Sequence, residues 1–244
     1  MSFLNRFVKS VYKFDEYGEL VKLSLRSSLF YYFVVSALTV AAACFAVSPV
    51  LTEIFDSVEE NIPEFKIEEG ELVADEPYYY MNNGIAAVMD PECEDVYELA
   101  EEYSAVNGFF VGKSTVLVRN TLLGGDDVEE LSDFEGFTSD DAEALIGLVR
   151  KLTYVILAGT FIFLKILLLI FVWCIAKLMS NIFRGGLNMK ESLKLGIYAC
   201  TLPVILKTVF YFTSISLPNM IFYALILVYC YFGIKSSKAM RIEA

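Results

Sequence analysis

Two lysines inside long apolar runs are the side chains of this sequence that most clearly indicate chemistry. Lys165 lies near the middle of one run, and Lys207 lies nearer the end of another. A charge within hydrocarbon is costly, so a lysine that is kept there indicates a functional site by default. No Asp or Glu lies in any of the apolar runs. The sequence therefore offers neither lysine an acidic partner within a membrane.

The role of each lysine stays open at this level. Lys165 could serve a small transporter or channel, but its neighbours at helical spacing are apolar, and a water-lined path needs more polar lining. The alternative for Lys165 is a buried contact with backbone carbonyls or with a partner subunit. Lys207 is close enough to the end of its run to extend outward past Tyr211. Both lysines are candidate functional residues within the membrane.

A series of carboxylates elsewhere in the chain has part of the spacing of a calcium-binding loop. Positions 1, 3, 5, 9 and 12 of such a loop would be filled by Asp90, Glu92, Glu94, Glu98 and Glu101. Position 6, which requires glycine, is Asp95, and position 2 is Pro91. The pattern favours a solvated acidic face, with loose cation binding to that face as the alternative.

The residue types that most enzymes use are missing or isolated. The sequence contains no histidine, the commonest general base and zinc ligand, and it lacks the GxSxG, HExxH and P-loop motifs. Of the five cysteines, only Cys93 lies outside the apolar runs, so no internal disulfide is expected there. We expect no enzyme, no cofactor and no metal site.

The apolar runs themselves predict the fold class. The composition is 56% hydrophobic, and mean hydropathy is +0.54. The first run holds no charge and is long enough to cross about 30 Å of hydrocarbon. We expect an α-helical polytopic membrane protein with four transmembrane helices and a small extracytoplasmic α+β insert between helices 1 and 2. Its first segment (1–28) is basic and cytoplasmic, and we expect it to form an amphipathic helix on the inner membrane surface, with a plain basic tail as the alternative. The other segments are helix 1 (29–51), the acidic extracytoplasmic insert (52–149), helix 2 (152–179), a basic cytoplasmic joint (180–194), helix 3 (195–213), helix 4 (217–234) and a cytoplasmic tail (235–244).

Two further features of helix 1 can be predicted. The charged region before it is too long for a usual signal peptide, so we expect a helix that is not cleaved. Residues 30–33, which read Phe-Tyr-Tyr-Phe, would lie at the inner interface as an aromatic belt.

The insert is acidic and has the patterning of a small α+β domain. Residues 52–149 carry 26 acidic and 3 basic side chains, a net charge of −23. Alternation over residues 61–74 predicts a β-hairpin that turns at Glu69-Gly70. A turn at residues 82–84, strands at 85–89, 108–111 and 115–119, and a helix at 92–103 complete about five strands and one helix. Such an acidic domain would repel nucleic acid, so we expect no nucleic-acid partner.

Basic residues predict the orientation. They cluster before helix 1, in the joint and after helix 4. All three clusters are cytoplasmic if both termini are inside, as the positive-inside rule prefers. We therefore expect a multi-pass protein of the cell membrane whose partners are the lipid bilayer and another membrane protein such as a transporter. The oligomeric state is not predicted.

The joint has the residues to end one helix and to begin another. Gly185-Gly186 allows a left-handed backbone, and Asn188 and Glu191 have the spacing of a capping box. Pro203 should kink helix 3 and remains a candidate hinge. The Thr201 hydroxyl is a candidate partner for the backbone group that Pro203 leaves unpaired.

Two motifs resemble a known family. The stretch FRGGLNMKESLKLGIYACTLP resembles the Yip-one-like clan of membrane proteins, on a pattern that includes Gly185, Gly186, Tyr198 and Pro203. The insert resembles the IP-x-F-x-I-x-x-G-x-L segment of a Gram-positive branch of that clan, catalogued as domain of unknown function eleven eighty-nine. The matching residues are Ile62, Pro63, Phe65, Ile67, Gly70 and Leu72.

The resemblance implies a role without assigning a site. Some members of that branch carry a maltodextrin-utilisation label, which implies an association with sugar uptake and identifies no catalytic residue. We therefore expect a non-enzymatic accessory or organising protein of an envelope process such as carbohydrate uptake. The alternative is a small transporter or channel that uses Lys165.

Overall fold

The computed structural model describes residues 1–82, 85–103, 107–120, 125–213 and 218–242. These residues form two compact units: a helical unit within residues 1–52 and 152–244, and an α+β unit within residues 53–151. The predicted turn residues Asn83 and Gly84, and the predicted connection after Thr213, lie outside the described ranges.

The elements follow one another in this order along the chain. The helices are α1 (Phe3–Tyr12), α2 (Tyr17–Lys22), α3 (Leu25–Glu59), α4 (Val96–Glu102), α5 (Ser139–Ile182), α6 (Met189–Ala199), α7 (Thr201–Phe210) and α8 (Asn219–Ile242). The strands are β1 (Phe65–Glu68), β2 (Glu71–Ala74), β3 (Tyr78–Asn82), β4 (Ile85–Met89), β5 (Asn107–Val111), β6 (Thr115–Asn120) and β7 (Gly125–Glu130). Short 3-10 helices occupy Phe14–Glu16 and Leu131–Phe134.

Four helices within the described ranges are long and apolar enough to cross a membrane. They are α3, α5, the pair α6 and α7 taken together, and α8. The predicted strand-containing region does lie between the first two of them. α5 starts at Ser139 and continues unbroken through the apolar run, because no proline lies between its first turn and that run. α8 likewise continues to Ile242, through most of the segment predicted as a tail.

The basic N-terminal segment packs into the helical unit. The predicted helix is present as α1, and the structure adds α2, which the sequence did not predict. Tyr17 and Leu20 of α2 are fully buried in the core that α6 and α8 also form. Lys9 of α1 is buried and paired with Glu16 and Glu19. Its hydrogen bonds to Glu16 and then to Glu19 raise the pKa of Lys9, so that lysine stays charged.

Hydrogen bonds join this segment to the last helix of the chain. The Tyr229 hydroxyl donates to the Val11 carbonyl at 2.9 Å. The Ser236 hydroxyl donates to the Asp15 carbonyl at 2.6 Å and accepts the Gly18 N–H at 3.0 Å. Val11 lies in the last turn of α1 and Gly18 in the first turn of α2, where backbone groups have no partner within their own helix. α8 therefore supplies the partners that these groups would otherwise take from water.

The aromatic belt predicted at residues 30–33 is only partly correct. Phe30 and Phe33 are exposed on the surface of α3, as lipid-facing side chains would be. Tyr31 is buried instead, and its hydroxyl is within 3.0 Å of the Ser10 hydroxyl and 3.3 Å of the Thr201 hydroxyl. The hydroxyl is satisfied inside the bundle, so Tyr31 does not need the interface.

The α+β unit is a five-stranded mixed sheet with an additional hairpin. The sheet order is β3-β4-β5-β6-β7. All neighbouring strands are antiparallel except β4 and β5, which are parallel and have α4 between them in the chain. Val88, Phe110 and Leu117 pack against Val96 and Leu99 of α4. β1 and β2 form the predicted hairpin, whose turn residues Glu69 and Gly70 both have positive φ. The described residues thus contain seven strands, where the sequence predicted about five.

Ion pairs join the ends of α3 and α5 that belong to the α+β unit. Arg150 of α5 pairs with Asp56 of α3, and with Glu59 at 3.2 Å. The Arg150 guanidinium also lies over the Phe55 ring, 5.8 Å from its centroid. Arg150 could not be singled out from the sequence, because nothing in the local pattern indicates acids about 90 residues away.

Candidate functional site

The helical unit contains a cavity of about 270 Å³ that both intramembrane lysines line. On α5, Phe161, Leu164, Lys165 and Leu168 follow the spacing of one helix face and line this cavity. On α7, Lys207 and its neighbours one turn away do the same. α3 and α8 supply the remaining walls. The structure therefore brings together two residues that the sequence treated separately.

Lys207 has polar and aromatic partners at the start of α8. Its ammonium donates to the Asn219 side-chain carbonyl at 3.4 Å and lies 5.2 Å from the centroid of the Phe222 ring. A cation over an aromatic face is stabilised by the ring quadrupole, and more so when water is excluded. The predicted extension past Tyr211 describes only part of this arrangement, since Lys207 and Tyr211 both line the cavity.

The ammonium of Lys165 forms no ion pair and no hydrogen bond with any residue in the described ranges. A contact with backbone carbonyls, one part of the alternative given for Lys165, is therefore not found among those residues. Instead the Lys165 backbone carbonyl accepts a hydrogen bond from the Tyr32 hydroxyl of α3. This bond holds the α5 backbone beside α3, while the Lys165 side chain lines the cavity.

Other polar groups on the cavity wall are already used. The Thr39 hydroxyl donates to the Val35 carbonyl at 2.9 Å, and the Thr208 hydroxyl donates to the Val204 carbonyl at 2.8 Å. Each threonine thus bonds back to its own helix. No Asp or Glu is among the described lining residues, so the cavity has two positive charges in mostly apolar surroundings.

The cavity opens onto the outer surface of the helices. Leu164 and Phe171, which line it, are 50% and 41% exposed, and Tyr223 on α8 is 42% exposed. Because these side chains belong to helices that can cross a membrane, their exposed faces are the ones that lipid would contact. The opening is therefore of a kind that an acyl chain could enter.

The joint between α5 and α6 ends one helix and begins the next as predicted. Arg184 and Gly186 take the left-handed backbone, with φ of 51° and 66°. The capping box is complete: Asn188 accepts from the Glu191 N–H at 2.9 Å, and Glu191 accepts from the Asn188 N–H at 2.8 Å. Gly185 has a packing role instead, because a Cβ there would lie 2.6 Å from the Ile234 side chain.

The third apolar helix is interrupted at Cys200, between α6 and α7. Pro203 lies in the first turn of α7, where its missing N–H costs least. The Thr201 hydroxyl donates to the Ile197 carbonyl at 3.3 Å, whereas the prediction gave it the carbonyl that Pro203 leaves unpaired, which is that of Ala199. Pro203 is buried, and whether the interruption moves remains a prediction.

Tyr198, one of the family-motif residues, lies at the centre of the helical core. It is fully buried, its ring is 5.1 Å from the Tyr31 ring, and its hydroxyl is 3.1 Å from the Ser28 hydroxyl. The Tyr17 hydroxyl donates to the Tyr198 carbonyl at 3.3 Å. These contacts join α2 and α3 to α6 just before the interruption. Tyr198 therefore has a structural role in this arrangement.

The insert motif also contributes to packing. Ile67 and Leu72 are buried together with Leu131, and the Phe65 ring lies 6.2 Å from the Phe137 ring. Gly70 is in the hairpin turn, where the Glu135 carboxylate accepts the N–H groups of Glu69 and Gly70 at 3.0 and 2.9 Å. Ile62 and Pro63, the first residues of the motif, precede β1 and are partly buried. None of these side chains faces a cavity described for this unit.

Two acids of the predicted acidic face around α4, Asp90 and Asp95, have structural roles. Asp95 caps α4 by accepting from the Tyr97 N–H at 2.8 Å, and Asp90 accepts from the Glu92 N–H at 2.9 Å. Within the part of the chain that the structure describes, no group of three or more His, Cys, Asp or Glu is arranged to hold a metal ion.

Comparison with known proteins identifies a family for nearly the whole chain. The profile of a family described as "Protein of unknown function (DUF1189)" matches residues 4–234. No curated protein and no solved structure matches the chain.

Proposed function

We propose, from the fact that this chain belongs to the DUF1189 family of proteins of unknown function, that it is a non-enzymatic accessory protein of an envelope process such as maltodextrin uptake. It lies in the cell membrane with both termini in the cytoplasm. The α+β unit lies outside the cell and binds another membrane protein, such as the transporter itself.

The observation that carries this proposal is the acidic edge strand β7. It pairs with β6 along one edge only, and all six of its residues are exposed. Its acids are Asp126, Asp127, Glu129 and Glu130. Arg119 pairs with Asp126 at 3.0 Å, and no ion pair is found for the other three among the described residues. Charged side chains protect an edge strand from aggregation, and they also favour a basic partner.

Two observations support the topology. Basic residues cluster in the N-terminal segment, at the joint and after the fourth apolar helix, as the positive-inside rule requires of cytoplasmic segments. In addition, Gly18 near the start of the chain bonds to Ser236 near its end, which supports placing both ends on the same side.

The proposal is tested by photo-crosslinking in living cells. We expect a photoreactive amino acid at Val128 of β7, which is 38% exposed, to yield an adduct with a membrane protein. Removing charge with Asp127→Asn and Glu129→Gln should reduce that adduct about fivefold, since the steering field weakens. The adduct is identified by mass spectrometry.

The matched control is the same photoreactive residue at Tyr79 of β3, the opposite edge strand of the sheet. It should not give the Val128 adduct. An identical adduct from both positions, or none from Val128, would contradict a partner that binds at β7. Unchanged maltodextrin uptake in cells that lack the protein would contradict the carbohydrate role while leaving the partner to be identified.

A second function, a small transporter or channel, is favoured by the cavity that contains Lys165. This alternative requires substrate flux in liposomes that contain the purified protein. A flux that is unchanged in Lys165→Leu would exclude a role for that lysine in transport.

A further inference from the structure

We propose that the cavity between Lys165 and Lys207 binds an amphiphile with an anionic head, a phosphate or carboxylate attached to an acyl chain. The head lies between the two ammonium groups, and the chain leaves through the open side of the cavity. This binding site is independent of the partner proposed for β7.

The two lysine charges in the cavity have no anionic partner among the described residues, and a bound anion would supply one. Lys165 has no hydrogen-bond or ion-pair partner in the described ranges, and Lys207 has only a long bond to Asn219 and the Phe222 ring. Both lysines line the same cavity, and no Asp or Glu is among its described lining residues. An anion held by both ammonium groups would offset the cost of holding charge in hydrocarbon.

The apolar wall selects an amphiphile over a free ion or a sugar. Val40, Leu164, Leu168 and Phe171 supply hydrocarbon surface around the lysines, and a path for a hydrophilic solute needs polar lining instead. The hydroxyls of Thr39 and Thr208 are used within their own helices. An acyl chain would lose no hydrogen bonds against such a wall.

The size and opening of the cavity agree with a ligand whose head lies inside the cavity and whose acyl chain lies outside it. Its volume of about 270 Å³ is close to the lower end of small-ligand pockets, about 300 Å³, so it would hold a head group but not a whole lipid. The exposed faces of Leu164 and Phe171 at the opening lead to the surface where acyl chains lie in a bilayer. The ligand can therefore enter sideways from the membrane.

The test is native mass spectrometry of the purified full-length chain with defined ligands. We expect phosphatidylglycerol or palmitate to bind one per chain, and the double variant Lys165→Gln with Lys207→Gln to weaken that binding about tenfold through loss of the charge-assisted bonds. The two ligands distinguish a phospholipid from a free fatty acid, and binding of either in a lysine-dependent way supports the proposal.

Two control variants and two control ligands decide against the proposal if they give the opposite result. Lys190→Gln, which removes an exposed lysine outside the cavity, should leave binding unchanged, and Lys165→Arg should retain most of it. Binding of phosphatidylcholine as tight as phosphatidylglycerol, binding of inorganic phosphate as tight as either amphiphile, or equal binding by the wild type and the double variant would each overturn it. A loss of the same size in Lys165→Arg and Lys165→Gln would also overturn it, because cavity shape rather than charge would then be responsible. Circular dichroism confirms that each variant keeps its helices.

Discussion

At the scale of single residues, the glycines differ in how closely other parts of the chain approach them. A Cβ at Gly196 of α6 would lie 2.8 Å from the Val172 carbonyl oxygen of α5. Backbone atoms cannot move aside as the end of a flexible side chain can, so α5 and α6 approach each other closely only because residue 196 is glycine. Small residues have this use wherever membrane helices pack backbone to backbone.

We predict that Gly196→Ala destabilises the helical unit by about 1–3 kcal/mol, the usual cost of overpacking. The measurement is the free energy of unfolding in detergent. The matched control is Gly159→Ala in α5, where an added Cβ meets nothing within 4 Å. That control should be neutral or slightly stabilising, by up to about 1 kcal/mol, because alanine favours the helix. Equal effects of the two substitutions would contradict the close approach.

The residue-level chemistry could be predicted only in part from the sequence. Lys165 and Lys207 stand out because charge is rare in apolar runs, and no structure is needed to select them. Their shared cavity could not be predicted, since they lie on different helices and their meeting depends on how α5 and α7 rotate against each other. Tyr31 was misplaced for a similar reason: a tyrosine near a membrane interface and a tyrosine with buried hydroxyl partners look the same in the sequence.

At the scale of elements, α2 depends on contacts with a distant part of the chain. It has six residues, too few to be a stable helix in isolation. The Ser236 hydroxyl of α8 bonds to both Gly18 and Asp15. One side chain of α8 thus satisfies two backbone groups of the N-terminal segment.

We predict that Ser236→Ala raises the hydrogen-exchange rate of the α2 amides, because a buried N–H and a C=O lose their partner at a cost of about 1–3 kcal/mol. Ser237→Ala is the control. Ser237 is also buried, but its hydroxyl donates to the Gly233 carbonyl of its own helix at 2.8 Å. Equal exchange rates in the two variants would show that the N-terminal segment does not depend on α8.

Elements with a strong local pattern were predictable, and elements defined by tertiary contacts were not. The long apolar runs, the Glu69-Gly70 hairpin and the Asn188–Glu191 capping box all follow from residues close together in sequence. β7 has the sequence Gly-Asp-Asp-Val-Glu-Glu, most of whose residues have low strand propensity. It forms a strand because its backbone pairs with that of β6. α2 was missed because its burial comes from α6 and α8.

At the scale of the whole molecule, topology is the prediction that most constrains function. Four helices in the described ranges can cross a membrane, and an even number of crossings places both ends on one side. The proposed orientation, with the basic segments in the cytoplasm, would place the α+β unit outside the cell.

We predict that a membrane-impermeant maleimide labels Val128→Cys on intact cells and labels Lys190→Cys only after the cells are permeabilised. Both positions are exposed. The background carries Cys93→Ser, which removes the one cysteine of the α+β unit. The reverse labelling pattern would place the acidic unit in the cytoplasm and would contradict its proposed role outside the cell.

The bonds between the first and last helices also bear on the order of synthesis. Val11 and Gly18 each find a partner 218 residues later in the chain. The ribosome makes α1 and α2 long before α8, so the N-terminal helices stay without these partners until α8 has been made. A chain that stops before Tyr229 leaves buried backbone groups of the N-terminal segment unpaired. Termination before α8 would therefore also destabilise the N-terminal segment.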